Sequence, residues 1–189
     1  MKSPKRNVYG KMPIEPINLV RRLNKRWPRG KGRFYPETQD LFEFLERMGK
    51  SLPSHIEGKV VTKKGFRAFY LDKKHRQKAF LLDYLWWSSS GTLLAAESEF
   101  GYGIAGMQHD FEKLLCWKSP LKLMIVREHR KISAELIRKE LSVYASTVPQ
   151  LVKGECFVLF VFGKVKNSAY IYVAPRDGAP KFNFETLNV

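Results

Sequence analysis

Residues 81–101 read LLDYLWWSSSGTLLAAESEFG, two apolar runs separated by Ser88, Ser89, Ser90 and Gly91. Aromatic and aliphatic runs split by a small-residue cluster that contains Gly predict a β-hairpin. Period-two alternation puts Leu81, Asp83, Leu85 and Trp87 on one face of the first strand, and Leu93, Ala95, Glu97 and Glu99 on one face of the second. A turn centred on Ser90 sets Trp87 opposite Leu93, Leu85 opposite Ala95 and Asp83 opposite Glu97. Like charges facing each other across an antiparallel pair are destabilising. A divalent cation turns that liability into a site, since Mg²⁺ is held by one or two carboxylates together with water and substrate phosphate. Asp83, Glu97 and Glu99 are therefore candidate ligands, and a solvated strand end is the bland alternative.

Asp83, then Glu97-Ser98-Glu99 on the neighbouring strand, then a helix, resembles the PD-(D/E)XK nuclease superfamily. The likeness implies a restriction endonuclease-like α-β-β-β-α-β core in an α/β chain, a mixed central sheet flanked by helices. It also implies Mg²⁺ (or Mn²⁺) bound by the carboxylates and water attack on a phosphodiester. Two departures stand out: Leu82 replaces the family's Pro, and Glu99 replaces its Lys. An E-x-E variant exists among restriction enzymes of the superfamily, where the last Glu takes the lysine's place near the attacking water. The chain is also similar to a group of prokaryotic proteins with the signature AESEWG followed by DFEKLL, matched here by Ala96–Gly101 and Asp110–Leu115. By this resemblance Asp83, Glu97, Glu99 and Lys113 are the catalytic candidates, Lys113 supplying from the next helix the charge that Glu99 cannot.

Composition agrees with a polyanionic partner. The 189 residues carry a net charge of +16, with 44% hydrophobic and 28% charged residues, which fits a globular domain. Nucleic acid, above all DNA, is the expected partner, and an acidic membrane surface the lesser alternative. The N-terminus has no leader-like apolar core, and the run Cys156–Phe162 is far too short to span a bilayer, so a cytoplasmic location is expected. Cys116 and Cys156 stand singly in apolar surroundings, and the four His show no metal-ligand spacing, which argues against a disulfide framework or a structural zinc.

Residues 1–35 read as a basic N-terminal arm and 36–189 as one nuclease-like domain. The arm holds eleven Lys or Arg against the single acid Glu15. Its prolines exclude one long helix, but Ile17 to Trp27 suits a short one exposing Arg21, Arg22, Lys25 and Arg26 as nucleic-acid contacts. Tyr9, Trp27, Phe34 and Tyr35 either stack on bases or pack on the domain. Pro36 opens a helix with the stripe Leu41, Leu45, Met48 and Leu52 and the outer pairs Glu43–Arg47 and Glu46–Lys50. Glu43 or Glu46 is a further carboxylate that the resemblance allows at a metal site. An edge strand is expected over Gly65–Leu71. The run Lys73, Lys74, Arg76 and Lys78 follows it, a turn that either guides DNA or simply faces solvent.

After the hairpin, Met107, Phe111, Leu114 and Leu115 predict a helix whose other face carries Asp110 and Lys113. Leu121–Val126 reads as a strand buried on both faces. Ile132–Val148 reads as a helix with the stripe Ile132, Leu136, Leu141, Tyr144 and Val148, and with Glu135 paired to Lys139. A strand pair, Glu155–Phe162 and Ala169–Ala174, closes the fold. Two functions follow: a metal-dependent endonuclease acting on DNA, or a catalytically weak or inactive nuclease-fold module that binds nucleic acid or a protein complex through its basic surface. RNA is a third, weaker partner class. A homodimer is compatible with the resemblance, although the sequence displays no dimerisation element.

Overall fold

The computed structural model describes residues 12–28, 36–52, 82–88, 91–101, 103–129, 131–147, 151–175 and 182–188. Two helices come first, α1 (Pro16–Arg26) and α2 (Thr38–Lys50). The hairpin β1 (Tyr84–Ser88) and β2 (Gly91–Glu99) follows, then α3 (Ile104–Cys116), β3 (Leu121–Arg127) and α4 (Ala134–Ala145). The hairpin β4 (Cys156–Phe162) and β5 (Ser168–Val173) and the short β6 (Glu185–Thr186) end the chain. The six strands form one mixed sheet in sequential order. β2, β3 and β4 run parallel, while β1, β5 and β6 pair antiparallel to their neighbours.

Alternation along the strands gives each face its own core. Tyr84, Trp86, Leu94, Ala96, Leu123, Ile125, Val158 and Phe160 meet α1 and α2 on one side. Leu85, Ala95, Met124, Val126, Phe157, Leu159 and Val161 meet α3 and α4 on the other. β3 and β4, covered on both faces, are apolar at nearly every position, as buried parallel strands are. The result is an α/β protein with a six-stranded mixed sheet and, among the described residues, four helices packed against it.

The hairpin is where the sequence reading places it, with a corrected register near the turn. Leu85 faces Ala95, but Trp87 faces Thr92, because the register shifts between Trp86 and Trp87 and leaves Leu93 as the extra residue of a bulge. Helix α2 starts at Thr38, after an extended Glu37, rather than at Pro36. Its outer side keeps the Glu46–Lys50 ion pair at 2.5 Å, whereas Glu43 accepts from Gln39. Helix α4 is the larger correction. Ser133 is its N-cap, accepting from the Leu136 amide, so the buried face runs through Ala134, Ile137, Leu141 and Ala145. Leu136 is consequently exposed, Ile132 bridges to His129 ahead of the helix, and Glu135 pairs with Arg138 instead of Lys139.

The stretch expected to form a basic arm contributes a core helix. Leu19, Val20 and Leu23 of α1 are fully buried, and Trp27 packs edge-on against Phe44 and Phe162. The C-terminal segment, which carries little periodic signal, sends Phe182 and Phe184 into an aromatic cluster with Phe111, Phe157 and Tyr172. The expected edge strand over Gly65–Leu71 and the basic run Lys73, Lys74, Arg76 and Lys78 lie outside the described residues, as do Tyr9, Phe34 and Tyr35.

Candidate functional site

Asp83 sits in a bend one residue before β1, and Glu97 sits near the end of β2. The ladder that pairs Tyr84 with Ala96 brings the two acids side by side. The Asp83 amide donates to Glu97 Oε1 at 3.2 Å, while Asp83 Oδ2 accepts from the Ser98 amide at 2.8 Å and from the Ser98 hydroxyl at 3.1 Å. These three bonds lock the strand ends to each other. Ser98, in the middle of Glu97-Ser98-Glu99, is a site residue that alternation alone hides, because it predicts that Ser98 turns away from its neighbours.

Helix α3 crosses this face of the sheet. Its apolar residues Met107, Phe111, Leu114 and Leu115 are buried as expected, and that registry swings Asp110 and Lys113 toward the acids. Lys113 Nζ lies 2.6 Å from Asp110 Oδ1 and 3.4 Å from Glu97 Oε2. The Glu97 side chain is wholly buried, whereas those of Lys113 and Asp110 are 20% and 14% exposed and Asp83 is partly exposed, so the cluster reaches solvent around a buried Glu97.

The electrostatics follow from counting charge in a dry place. Three carboxylates face one ammonium. Burial, reinforced by the charge of Asp83, pushes the Glu97 carboxyl up to about 9, with Lys113 only partly offsetting it. Burial also raises Asp83, against the Ser98 hydrogen bonds that favour its anion. For Lys113, burial acts to lower the pKa, but the Asp110 hydrogen bond and the surrounding acids outweigh it and leave the group raised. Lys113 is thus a firm cation beside a proton-holding Glu97.

Glu99 stands apart. Its carboxylate accepts from the Gly101 amide, and its two oxygens lie over Gly101 and Gly106. A Cβ at Gly101 would come within 2.5 Å of Oε1, and one at Gly106 within 3.3 Å of Oε2, so these glycines make the space that Glu99 fills. The position has a physical reason. α3 begins at Gly103, which offers no capping side chain, and its first turn contains no acid. Glu99 supplies the missing negative charge at the positive end of the helix. A lysine there would be repelled.

The expected trio is therefore a pair, Asp83 and Glu97, joined by Asp110 and Lys113. Among the described residues, no three His, Cys, Asp or Glu side chains converge as metal ligands do. The donors still suit Mg²⁺, being carboxylate oxygens, of which that ion takes one or two. Glu43 and Glu46 belong to α2 on the opposite side of the sheet and stay out of the site. Arg21, Arg22, Lys25 and Arg26 are all exposed, but on that same opposite side.

A second buried charge pair went unread in the sequence. Lys122 Nζ meets Glu155 Oε2 at 2.7 Å, with the side chains only 1% and 6% exposed, and lies 4.6 Å over the Phe157 ring. Lys122 breaks an otherwise apolar strand, and that interruption was the available signal. Burial lowers its pKa despite the partner. No described helix is long and apolar enough to cross a membrane. Comparison of the chain with protein-family models, with curated proteins and with solved structures gives no match.

Proposed function

We propose that this chain is a metal-dependent nuclease that hydrolyses phosphodiester bonds in DNA. The observation that carries the reading is the pair of buried acids where Asp83 and Glu97 abut, with one lysine beside them. Two buried acids this close keep both charges only at a cost, so Glu97 holds its proton, and a cation there would favour the doubly ionised pair. The order of α2, β1, β2, α3 and β3, with β1 antiparallel and β3 parallel to β2, supports a restriction endonuclease-like core. The strand expected over Gly65–Leu71, which would be the first of that core, lies outside the described residues.

In this mechanism Asp83 and Glu97 would hold the cation, with Ser98 fixing the Asp83 carboxylate in place. Mg²⁺ or Mn²⁺ bound there supplies a polarised phosphate oxygen and a more acidic water. Lys113 presents its ammonium to the phosphate, and Asp110 keeps that ammonium charged and in place. Glu99 anchors the start of α3, and through it the placement of Lys113, instead of activating water.

One observation favours the other reading, a nuclease fold that binds without cutting: Lys113 leans on Asp110 more closely than on Glu97, and Glu99 is already engaged. Cleavage of supercoiled plasmid and of single-stranded DNA, with Mg²⁺ or Mn²⁺, separates the two. The nuclease reading expects metal-dependent nicking that Asp83→Asn with Glu97→Gln abolishes and Lys113→Gln lowers by roughly 10²-fold or more, the scale of losing one charge-stabilising group. Retained DNA binding with no cutting by the unmodified protein would sink it in favour of the binding module.

A further inference from the structure

The cations of α1 and the acids of the site lie on opposite faces of the sheet, so a polymer bound at one is not thereby bound at the other. Leu19, Val20 and Leu23 fix α1 against the face that carries Trp86 and Phe160, which turns Arg21, Arg22, Lys25 and Arg26 outward. Glu97 and Lys113 belong to the α3 face. Something must connect the two if both touch one substrate.

The loop between β4 and β5 makes the connection. The Asn167 side-chain Nδ2 donates to Asn24 Oδ1 and to the Trp27 carbonyl, both at 3.0 Å, which staples the loop to the last turn of α1. The loop's other end is tied down as well: the Lys164 amide donates to Glu128 Oε2, whose partner oxygen accepts from the first amide of α4. Lys164 and Lys166, both exposed, lie in this stapled loop, at the carboxyl ends of the parallel strands. Glu99 pairs with Val126 and Val126 with Val161, so the loop leaves β4 two strands away from the end of the acidic strand, roughly 10 Å in a sheet of ordinary spacing. The aromatic contacts Trp27–Phe162 and Phe100–Phe162 span the same edge. Among the described residues, none of these six cations is in an ion pair.

We propose that Arg21, Arg22, Lys25, Arg26, Lys164 and Lys166 form one phosphate track that carries a DNA duplex from the α1 face over the carboxyl-end edge of the sheet toward Asp83 and Glu97. Asn167 is its positioning residue. The inference rests on the proposed function only in taking DNA as the polymer; the track itself follows from the staple and the unneutralised charge. Phosphate contacts release counterions, so each lysine engaged by the duplex deepens the salt dependence of binding.

The test is fluorescence anisotropy of a labelled 20-base-pair duplex titrated with the full chain in EDTA across a series of salt concentrations. The variant Lys164→Gln with Lys166→Gln is compared with a control of equal charge loss, Lys139→Gln with Lys153→Gln, on exposed sites of α4 and of the turn before β4. The track predicts a log–log slope shallower by about 1.8 for the loop variant, at about 0.9 per phosphate contact, and little change for the control. Equal effects in the two variants would overturn the track in favour of diffuse attraction by net charge. Loss of binding to phosphatidylserine vesicles with duplex binding intact would overturn it in favour of a membrane surface. Because the assay needs neither metal nor turnover, a protein that shows the expected slope yet never cuts DNA upholds the track while sinking the nuclease reading.

Discussion

Replacing Glu99 with lysine separates what the sequence pattern suggests from what the fold requires. The resemblance to E-x-K nucleases argues that Glu99→Lys raises cleavage. The geometry argues the reverse, because the carboxylate lies at the amino end of α3 and accepts from the Gly101 amide. An acid at a helix N-terminus contributes about 0.3–1 kcal/mol, and a cation there costs a similar amount, so reversing the sign costs about 1–2 kcal/mol. Losing a hydrogen bond to a charged group adds about 1.5 kcal/mol at the low end of its range, the appropriate end for a half-exposed carboxylate. The sum, about 3 kcal/mol, corresponds to a fall of roughly 6–12 °C in Tm for a domain of this size. Glu99→Gln keeps the shape and an acceptor oxygen, and should lose about 1 kcal/mol or less. Urea and thermal unfolding followed by tryptophan fluorescence give both values, and plasmid nicking on the folded variants gives the activity. A Glu99→Lys protein as stable as the parent, or faster at cutting DNA, would show that the carboxylate does not hold α3 and that the lysine belongs on β2 after all.

Two further outcomes are expected. Because the Glu97 carboxyl is pushed up to about 9 by burial and by Asp83, the folded protein holds a proton there that the unfolded chain releases near pH 4.5. Stability should thus fall as pH rises between those values, by up to about 1.4 kcal/mol per pH unit from this group, and Glu97→Gln should remove that slope. Urea midpoints at pH 5, 7 and 9 for the two proteins decide it, and parallel profiles would refute it. Lys122→Met strands the Glu155 carboxylate in the core and should destabilise by about 3–5 kcal/mol, whereas Lys122→Met with Glu155→Leu should return close to the parent. A double variant as unstable as the single one would mean that the site needs polar groups for another reason.

Local pattern was enough for much of this molecule. The alternation and small-residue break of 81–101 yielded the hairpin, and the spacing of Met107, Phe111, Leu114 and Leu115 yielded α3 with Asp110 and Lys113 on its free side. It was enough also to place Asp83 beside Glu97, because two strands joined by a short turn have few registers that bury their apolar side chains. The bulge at Leu93 changed the pairs near the turn and left the far end, where the acids are, unaltered. The misread face of α4 has a local cause, the Ser133 cap, which a sequence reader can find but which competes with a hydrophobic stripe of similar appearance.

What the sequence by itself determined is therefore the alternation of apolar and polar positions, the class of fold that follows from it, and a pair of acids at one strand end. Tertiary structure decided the rest. Alternation said that Glu99 shares a face with Glu97, but the open amino end of α3 drew its carboxylate away. Basic composition said that residues 1–35 form an arm for polyanions, but three buried side chains turned its helix to the sheet face opposite the acids, where a loop about 140 residues later in the chain meets it through Asn167. Lys122 and Glu155, 33 residues apart, meet only because β3 and β4 are adjacent and parallel. The last two depend on contacts between segments distant along the chain, whose energy no local window of sequence contains; the turn of Glu99 is decided within seven residues, by the helix start that follows it.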